Sequence, residues 1–129
     1  MNRYTTDLWG RAKEAVNTAA ADLLVSPDAS ASRSYYAAFY AVSAIFALAG
    51  KEFSKHSQVH AAVHRDLVKT GQWAAKMGED YSYLLRLRET GDYGGGTHVT
   101  ADEAKEAIAV AKRILDAVRS VHPELDQTL

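Results

Sequence analysis

The sequence contains no cysteine and only two prolines among its 129 residues. The absence of cysteine excludes disulfides, thiolate metal sites and a cysteine nucleophile, and it fits a cytoplasmic protein. The two prolines, Pro27 and Pro123, leave long stretches in which helices can run without interruption. Fifteen basic residues against sixteen acidic ones give no excess of positive charge, so a general DNA-binding surface is not expected.

We expect neither a membrane-spanning helix nor a secretory leader. The most apolar stretch of the chain, residues 34 to 50, is rich in Ala, Ser and Tyr. It is shorter than the about 20 apolar residues that a bilayer span needs. Charged residues between Arg3 and Glu14 leave no apolar core for a signal peptide. We therefore expect a single domain over residues 1 to 129, with a core of about residues 4 to 121 and a frayed tail from 122 to 129.

Hydrophobic periodicity predicts an all-α fold, an antiparallel up-and-down bundle of four to five helices. The predicted helices cover residues 4–25, 31–50, 57–70, 73–90 and 101–121. The second is apolar on all sides, which indicates a buried central helix. Gly50, Gly71 and Gly91 are predicted to end helices, and Thr100 with Glu103 is predicted to form a capping box before the last one.

Three histidines, His56, His60 and His64, recur every four residues and would lie on one side of a helix. Two imidazoles at this spacing can bind zinc, but neither an HExxH pattern nor an acidic or cysteine ligand accompanies them. An exposed helix face is the simpler interpretation. We therefore predict no metal site and no cofactor.

Two arginines occupy positions where their charge needs an explanation. Arg33 begins the apolar central helix, where it could simply remain solvated. Arg88 shares the apolar face of the fourth predicted helix, and Asp92, one turn further, is the local candidate for an ion pair. That pair could be a structural salt bridge. It could equally belong to an anion site, since a guanidinium binds phosphate in bidentate fashion.

Four sequence blocks, taken in order, resemble the HEPN domain family and especially its small stand-alone members. The blocks are residues 31–40 (ASRSYYAAFY), Lys55-His56-Ser57, residues 68–71 (VKTG), and Leu87-Arg88 ahead of Asp92-Tyr93. The resemblance spans about residues 20 to 118. It implies an antiparallel four- or five-helix bundle, homodimers and a link to RNA or nucleotides. Many such proteins are metal-independent ribonucleases, often toxins paired with a minimal nucleotidyltransferase (MNT) antitoxin.

The ribonuclease motif of that family is an arginine followed four to six residues later by a histidine, and this chain departs from it. Arg88 occupies the arginine position, but Asp92 and Tyr93 stand where the histidine is expected. In such chemistry the histidine acts as general acid or base while the arginine steadies the phosphate. A carboxylate at Asp92 would repel phosphate. His56 and His98 are the remaining candidates for a catalytic imidazole.

Three functions are compatible with these observations, and enzymatic activity is left open. We favour a HEPN-fold nucleotide- or RNA-binding or regulatory module of a toxin–antitoxin or nucleotidyltransferase-associated system, with a degenerate ribonuclease motif. Its binding residues would be Arg33, Tyr36, His56, Arg88, Asp92 and Tyr93. The alternatives are a metal-independent endoribonuclease using Arg88 with His56 or His98, and a purely structural dimeric scaffold. Expected partners are a second copy of the chain, an MNT-type nucleotidyltransferase, and a nucleotide or RNA.

Overall fold

The computed structural model describes residues 1 to 127, and within them all regular structure is helical and no strand is present. The helices are α1 (Arg3–Asp22), α2 (Pro27–Leu48), α3 (His56–Ala62), α4 (Ala75–Tyr93) and α5 (Ala101–Val121). A π-helical segment, Val63–Val68, continues α3, and a short 3-10 helix, Pro123–Asp126, follows α5. This arrangement confirms the predicted all-α bundle.

Helix α2 lies at the centre of the bundle and packs against α1, α4 and α5. Its fully buried residues span one broad side of the helix because three neighbouring helices cover it, whereas Arg33, Tyr36 and Tyr40 on the remaining side are partly buried. Ser26 caps its N-terminus by accepting a hydrogen bond from the Ala29 amide, and Pro27 occupies the first helical position. The burial of α2 confirms the predicted central helix. Among the described residues, no helix combines the length and the apolar character that crossing a bilayer requires.

The predicted end of α4 at Gly91 is wrong, because the helix continues through Tyr93. Gly91 instead allows α4 to approach the start of α2 closely. A Cβ atom at this position would come within 2.9 Å of the carbonyl oxygen of Asp28. A side chain there would push the two helices apart. The close approach places Asp92, the next residue, beside the first turns of α2, where the Ser32 hydroxyl donates to its Oδ2 at 3.4 Å.

Other local predictions hold at helix ends. Gly50 and Gly71 have φ of 77° and 84°, the left-handed region in which glycine stops a helix without steric cost. Thr100 accepts a hydrogen bond from the Glu103 amide, and the Glu103 side chain accepts one from the Thr100 amide. The predicted capping box at the start of α5 is therefore present.

The segment after α5 forms a 3-10 helix, Pro123–Asp126, which contacts α1 and lies within the tail that was predicted to fray. Leu125 is buried. Asp126 accepts hydrogen bonds from Trp9 Nε1 at 2.6 Å and from Arg119 Nε at 3.0 Å. Pro123 ends α5 as expected, but burial of Leu125 and the buried indole of Trp9 fix the chain beyond it. The last two positions of the predicted tail, 128 and 129, lie outside the described residues.

Candidate anion-binding site

Arg88 lies within a cluster of aromatic rings contributed by α2 and α4. Its guanidinium carbon is 5.5, 5.6 and 5.6 Å from the ring centroids of Tyr35, Tyr36 and Tyr93. Its Nε donates to Asp92 Oδ2 at 3.1 Å, and its Nη2 donates to the Tyr36 hydroxyl at 3.4 Å. The structure thus contains the ion pair that the four-residue spacing predicts.

The guanidinium of Arg88 is held as a permanent charge in a partly buried position, with its side chain 15 % exposed. Burial opposes the charge, but Tyr36, Tyr93 and Asp92 outweigh it and raise the pKa of the guanidinium. The ring faces also stabilise the cation directly, because an aromatic ring attracts a cation within about 6 Å of its centroid. Among the described residues, Nη1 has no hydrogen-bond partner. One edge of the guanidinium therefore remains able to donate to a ligand.

His56, the first residue of α3, lies beside this cluster. Its Nδ1 is 2.7 Å from the Tyr35 hydroxyl oxygen, and its ring stacks on Phe39 with the centroids 4.2 Å apart. Its centroid is also 5.7 Å from that of Tyr36, whose ring contacts Arg88. Burial lowers the pKa of His56, and the charge of Arg88 lowers it further. The imidazole is therefore neutral at neutral pH.

The hydroxyl of Tyr35 decides how that neutral imidazole carries its proton. Burial raises the pKa of Tyr35 to about 12, so the hydroxyl stays protonated and can donate to Nδ1 of His56. In the tautomer in which this hydroxyl donates to Nδ1, the imidazole proton lies on Nε2. Nε2 makes no hydrogen bond within residues 1 to 127. The ring consequently has one N–H group available to a ligand.

Arg33 also contacts the ring of Tyr36 in this cluster. Its guanidinium carbon is 4.8 Å from the Tyr36 ring centroid, so this ring contacts both Arg33 and Arg88. A cleft of about 650 Å³ lies beside Arg33 between α1 and α2. Its lining carries both signs of charge, from Asp7, Arg11, Glu14 and Arg33. Arg33 therefore belongs to the aromatic cluster, whereas the cleft next to it is not uniformly attractive to anions.

His98 is held by α2. Its Nδ1 is 2.7 Å from Asp28 Oδ2, and Asp28 Oδ1 accepts a hydrogen bond from the Val99 amide at 2.7 Å. The contact with His98 lowers the pKa of the Asp28 carboxyl, although burial opposes this. Together these bonds fasten the loop after α4 to the first turn of α2. Of the two candidate imidazoles, the structure brings His56 to the Arg88 cluster and ties His98 to Asp28.

The predicted row of three histidines is divided between two sites. His60 and His64 direct their Nε2 atoms to Ser82 Oγ at 2.9 and 3.1 Å, whereas His56 contacts Tyr35. In residues 1 to 127, no three or more His, Cys, Asp or Glu side chains are grouped so that they could hold a metal ion.

Three contributors to the site were not among the predicted binding residues, and one of them is Tyr35, whose hydroxyl lies 2.7 Å from His56 Nδ1. Phe39 supports the ring of His56, and Ser32 donates to Asp92. Phe39 could have been recognised because it lies four residues after Tyr35, on the same face of α2. Nothing in the local pattern indicates the role of Ser32, because its partner is 60 residues away.

Comparison with known proteins relates the whole bundle to one family. The sequence model of the HEPN domain matches residues 5–121, from α1 to the end of α5. A UPF0332 protein of Thermotoga maritima is 41% identical over 93 residues, which cover 72% of this chain and 70% of the relative. A UPF0332 protein of Gloeobacter violaceus is 31% identical over 113 residues, covering 84% of this chain and 88% of the relative.

Proposed function

Because this chain belongs to the HEPN domain family, we propose that it is a binding or regulatory module whose Arg88 contacts a phosphate group of a nucleotide or of RNA. Arg88 is the main contact, and His56 is a second donor. The surrounding residues of the site are Arg33, Tyr36 and Tyr93, and Asp92 orients Arg88 through its ion pair. The histidine of the family's ribonuclease motif is absent at its usual spacing, so binding rather than cleavage is the main activity.

The environment of Arg88 is the observation that carries this proposal. A structural salt bridge requires only Asp92, yet three tyrosine rings also surround the guanidinium. They hold it in one orientation, with Nη1 available to a ligand. A preoriented guanidinium suits phosphate because its donors match two phosphate oxygens. Tyr93 is 74% exposed, so the cluster is accessible from solvent.

His56 adds a neutral donor to this charged one. Its Nδ1 is occupied by Tyr35, which favours a proton on Nε2. A neutral N–H beside a guanidinium supports anion binding without adding a second buried charge. The neutral state also makes His56 the better candidate for a general base if the protein cleaves RNA. A metal-independent endoribonuclease using Arg88 and His56 is therefore the second candidate function.

We further propose that the module works as a homodimer with an MNT-type nucleotidyltransferase. In the family, a tyrosine close behind the motif can become a target of the partnering nucleotidyltransferase. Tyr93 meets that description, because it is exposed in the last turn of α4 and is followed by three glycines. A nucleotidyl group on its hydroxyl would lie beside Arg88, whose guanidinium is 5.6 Å from the ring. Modification would then compete with other anions for Arg88.

Substitution of Arg88 with alanine tests this function. Binding of a fluorescent oligoribonucleotide is measured by anisotropy, and binding of ATP by calorimetry. Loss of a charged hydrogen bond should weaken binding by about 1.5–3 kcal/mol, roughly 10- to 150-fold. Arg86→Ala is the matched control, because Arg86 is exposed on the same helix two residues away. Equal affinity in both variants, with only the melting temperature changed, would support the scaffold instead.

RNA cleavage distinguishes the second candidate. The parent, Arg88→Ala and His56→Ala are incubated with RNA in excess EDTA, and the products are separated by gel electrophoresis. The binding module predicts little cleavage by any of the three. Robust metal-free cleavage by the parent that is lost in both variants would identify a ribonuclease.

A further inference from the structure

The side chains of His60 and His64 converge on one point at the surface of the bundle. They lie one helical turn apart, with ring centroids separated by 5.0 Å. Both Nε2 atoms are within hydrogen-bond distance of Ser82 Oγ, at 2.9 and 3.1 Å. A serine hydroxyl has a single proton, so one imidazole accepts it and the other donates its own N–H. Two ring nitrogens thus face a position that one hydroxyl occupies.

The backbone holds this pair in place. His64 lies in the π-helical segment Val63–Val68, and such wide turns are rare and frequently occur at functional sites. Helix α4 packs directly on the ring of His64 at Gly78. A Cβ atom at Gly78 would come within 3.0 Å of His64 Cε1 and 3.2 Å of its Nδ1. The ring of His64 therefore rests against the backbone of α4, close to Ser82 on the next turn.

The point of convergence opens into a cleft of about 460 Å³, whose lining includes His64 and Ser82. The charged lining residues are Lys76, Glu79, Asp80, Arg86 and Glu106. Both cations and carboxylates are present, so the cleft does not strongly repel a small dication. It has room for water molecules next to the imidazole of His64, and Nε2 of His60 lies 2.9 Å from the Ser82 hydroxyl at its edge. An ion at the position of that hydroxyl could therefore bind both nitrogens and keep part of its hydration shell.

We propose, contrary to the expectation from the sequence that these histidines hold no metal, that His60 and His64 chelate a divalent transition-metal ion, Cu(II) most tightly and Ni(II) more weakly. Imidazoles at this helical spacing can reach one ion with metal–nitrogen distances of about 2.0–2.1 Å. Cu(II) leads the affinity order for such ligands and accepts tetragonal sets of nitrogen and oxygen. The Ser82 hydroxyl or water supplies the remaining ligands. A structural zinc site would need four protein ligands, and the described residues do not group even three here.

Binding requires one proton to move. The imidazole that donates to Ser82 must free its Nε2 lone pair, so its proton shifts to Nδ1 and the ring stays neutral. Both hydrogen bonds between the imidazoles and Ser82 are lost, because each Nε2 lone pair goes to the metal, and two metal–nitrogen bonds form. No residue of the Arg88 cluster takes part, so this proposal is independent of the proposed function.

Titration of the full chain with copper(II) chloride tests the proposal. Calorimetry is carried out with glycine as a competing chelator, and the complex is examined by electron paramagnetic resonance. We expect one Cu(II) per chain with coordinated nitrogen. His60→Asn and His64→Asn should each weaken binding at least tenfold, whereas His122→Asn, a change at a histidine that neither contacts Ser82 nor lines this cleft, should leave it unaltered. Cu(II) should raise the melting temperature of the parent but not of the double variant.

A second measurement needs no variant and covers the case in which a substitution disturbs folding. Substoichiometric Cu(II) should selectively broaden the imidazole NMR signals of His60 and His64 in the parent, because a paramagnetic ion relaxes its own ligands most strongly. Ser82→Ala, which keeps both imidazoles, should bind at least as tightly as the parent. Broadening centred on other histidines, or undiminished affinity in the double variant, would overturn the proposal.

Discussion

Replacing Asp92 with asparagine separates the two interpretations of its ion pair with Arg88. The change removes a negative charge 3.1 Å from Arg88 Nε while preserving the size of the side chain. If Arg88 contacts phosphate, the carboxylate opposes the ligand, and Asp92→Asn should bind nucleotide or RNA more tightly than the parent. If the pair only fastens the end of α4, the substitution should lower stability without affecting affinity.

The expected gain follows from Coulomb's law. A phosphate held by the guanidinium would lie roughly 6 Å from the Asp92 carboxylate, where two like charges repel by about 0.7–3 kcal/mol for effective dielectric constants of 80 to 20. Affinity should therefore rise about 3- to 100-fold, and less at high salt. The cost in stability is smaller, about 0.3–1 kcal/mol, because the pair is a partly exposed contact between adjacent helical turns. Asp92→Asn should therefore raise the affinity for the ligand while it lowers the stability of the fold.

The assay is oligoribonucleotide anisotropy at low and at physiological salt, combined with urea unfolding of each variant. Asp66→Asn is the matched control, since it also removes one paired carboxylate, that of the Arg65–Asp66 bridge. Asp66→Asn should increase affinity only by the amount that follows from removing one negative charge from the protein. If Asp92→Asn binds no better than Asp66→Asn, or binds more weakly than the parent, Arg88 is not the phosphate contact.

Three further predictions concern stability and assembly. Because His98 lowers the pKa of Asp28, this carboxylate stabilises the fold fully above its unfolded pKa of about 3.9 and loses that contribution as pH falls through the lower folded value. Asp28→Asn should therefore show a shallower acid-side decline in urea-unfolding stability, and identical slopes would contradict this. Asp126→Ala leaves the buried Trp9 indole N–H unpaired and should lower the free energy of unfolding by about 1–3 kcal/mol, whereas Asp116→Ala should change it by no more than about 0.5 kcal/mol. Equal losses in the two variants would show that the hydrogen bond between Asp126 and Trp9 does not stabilise the fold. Light scattering at tens of micromolar should give twice the 14.1 kDa chain mass, and a monomer mass would exclude the homodimer.

The sequence by itself determined the elements whose causes are local. The apolar residues around α2 indicate its central position, because a helix that is apolar on all sides has to be covered on all sides. The glycines at 50 and 71 and the Thr100–Glu103 capping box act within one turn of chain. The same holds for the Arg88–Asp92 pair, whose partners are four residues apart. Order and spacing of short motifs were enough to indicate the family.

Only the tertiary structure decided which distant groups meet. From the sequence, His56 and His98 are equally good candidates for the imidazole beside Arg88. Packing of α3 against α2 brings His56 into contact with Tyr35, whereas His98 is hydrogen-bonded to Asp28. Gly91 was predicted to end a helix because the local pattern cannot reveal the carbonyl of α2 that lies against it. Each outcome depends on contacts between residues far apart in sequence. Such contacts are set by how helices cross and pack, which hydrophobic periodicity alone does not specify.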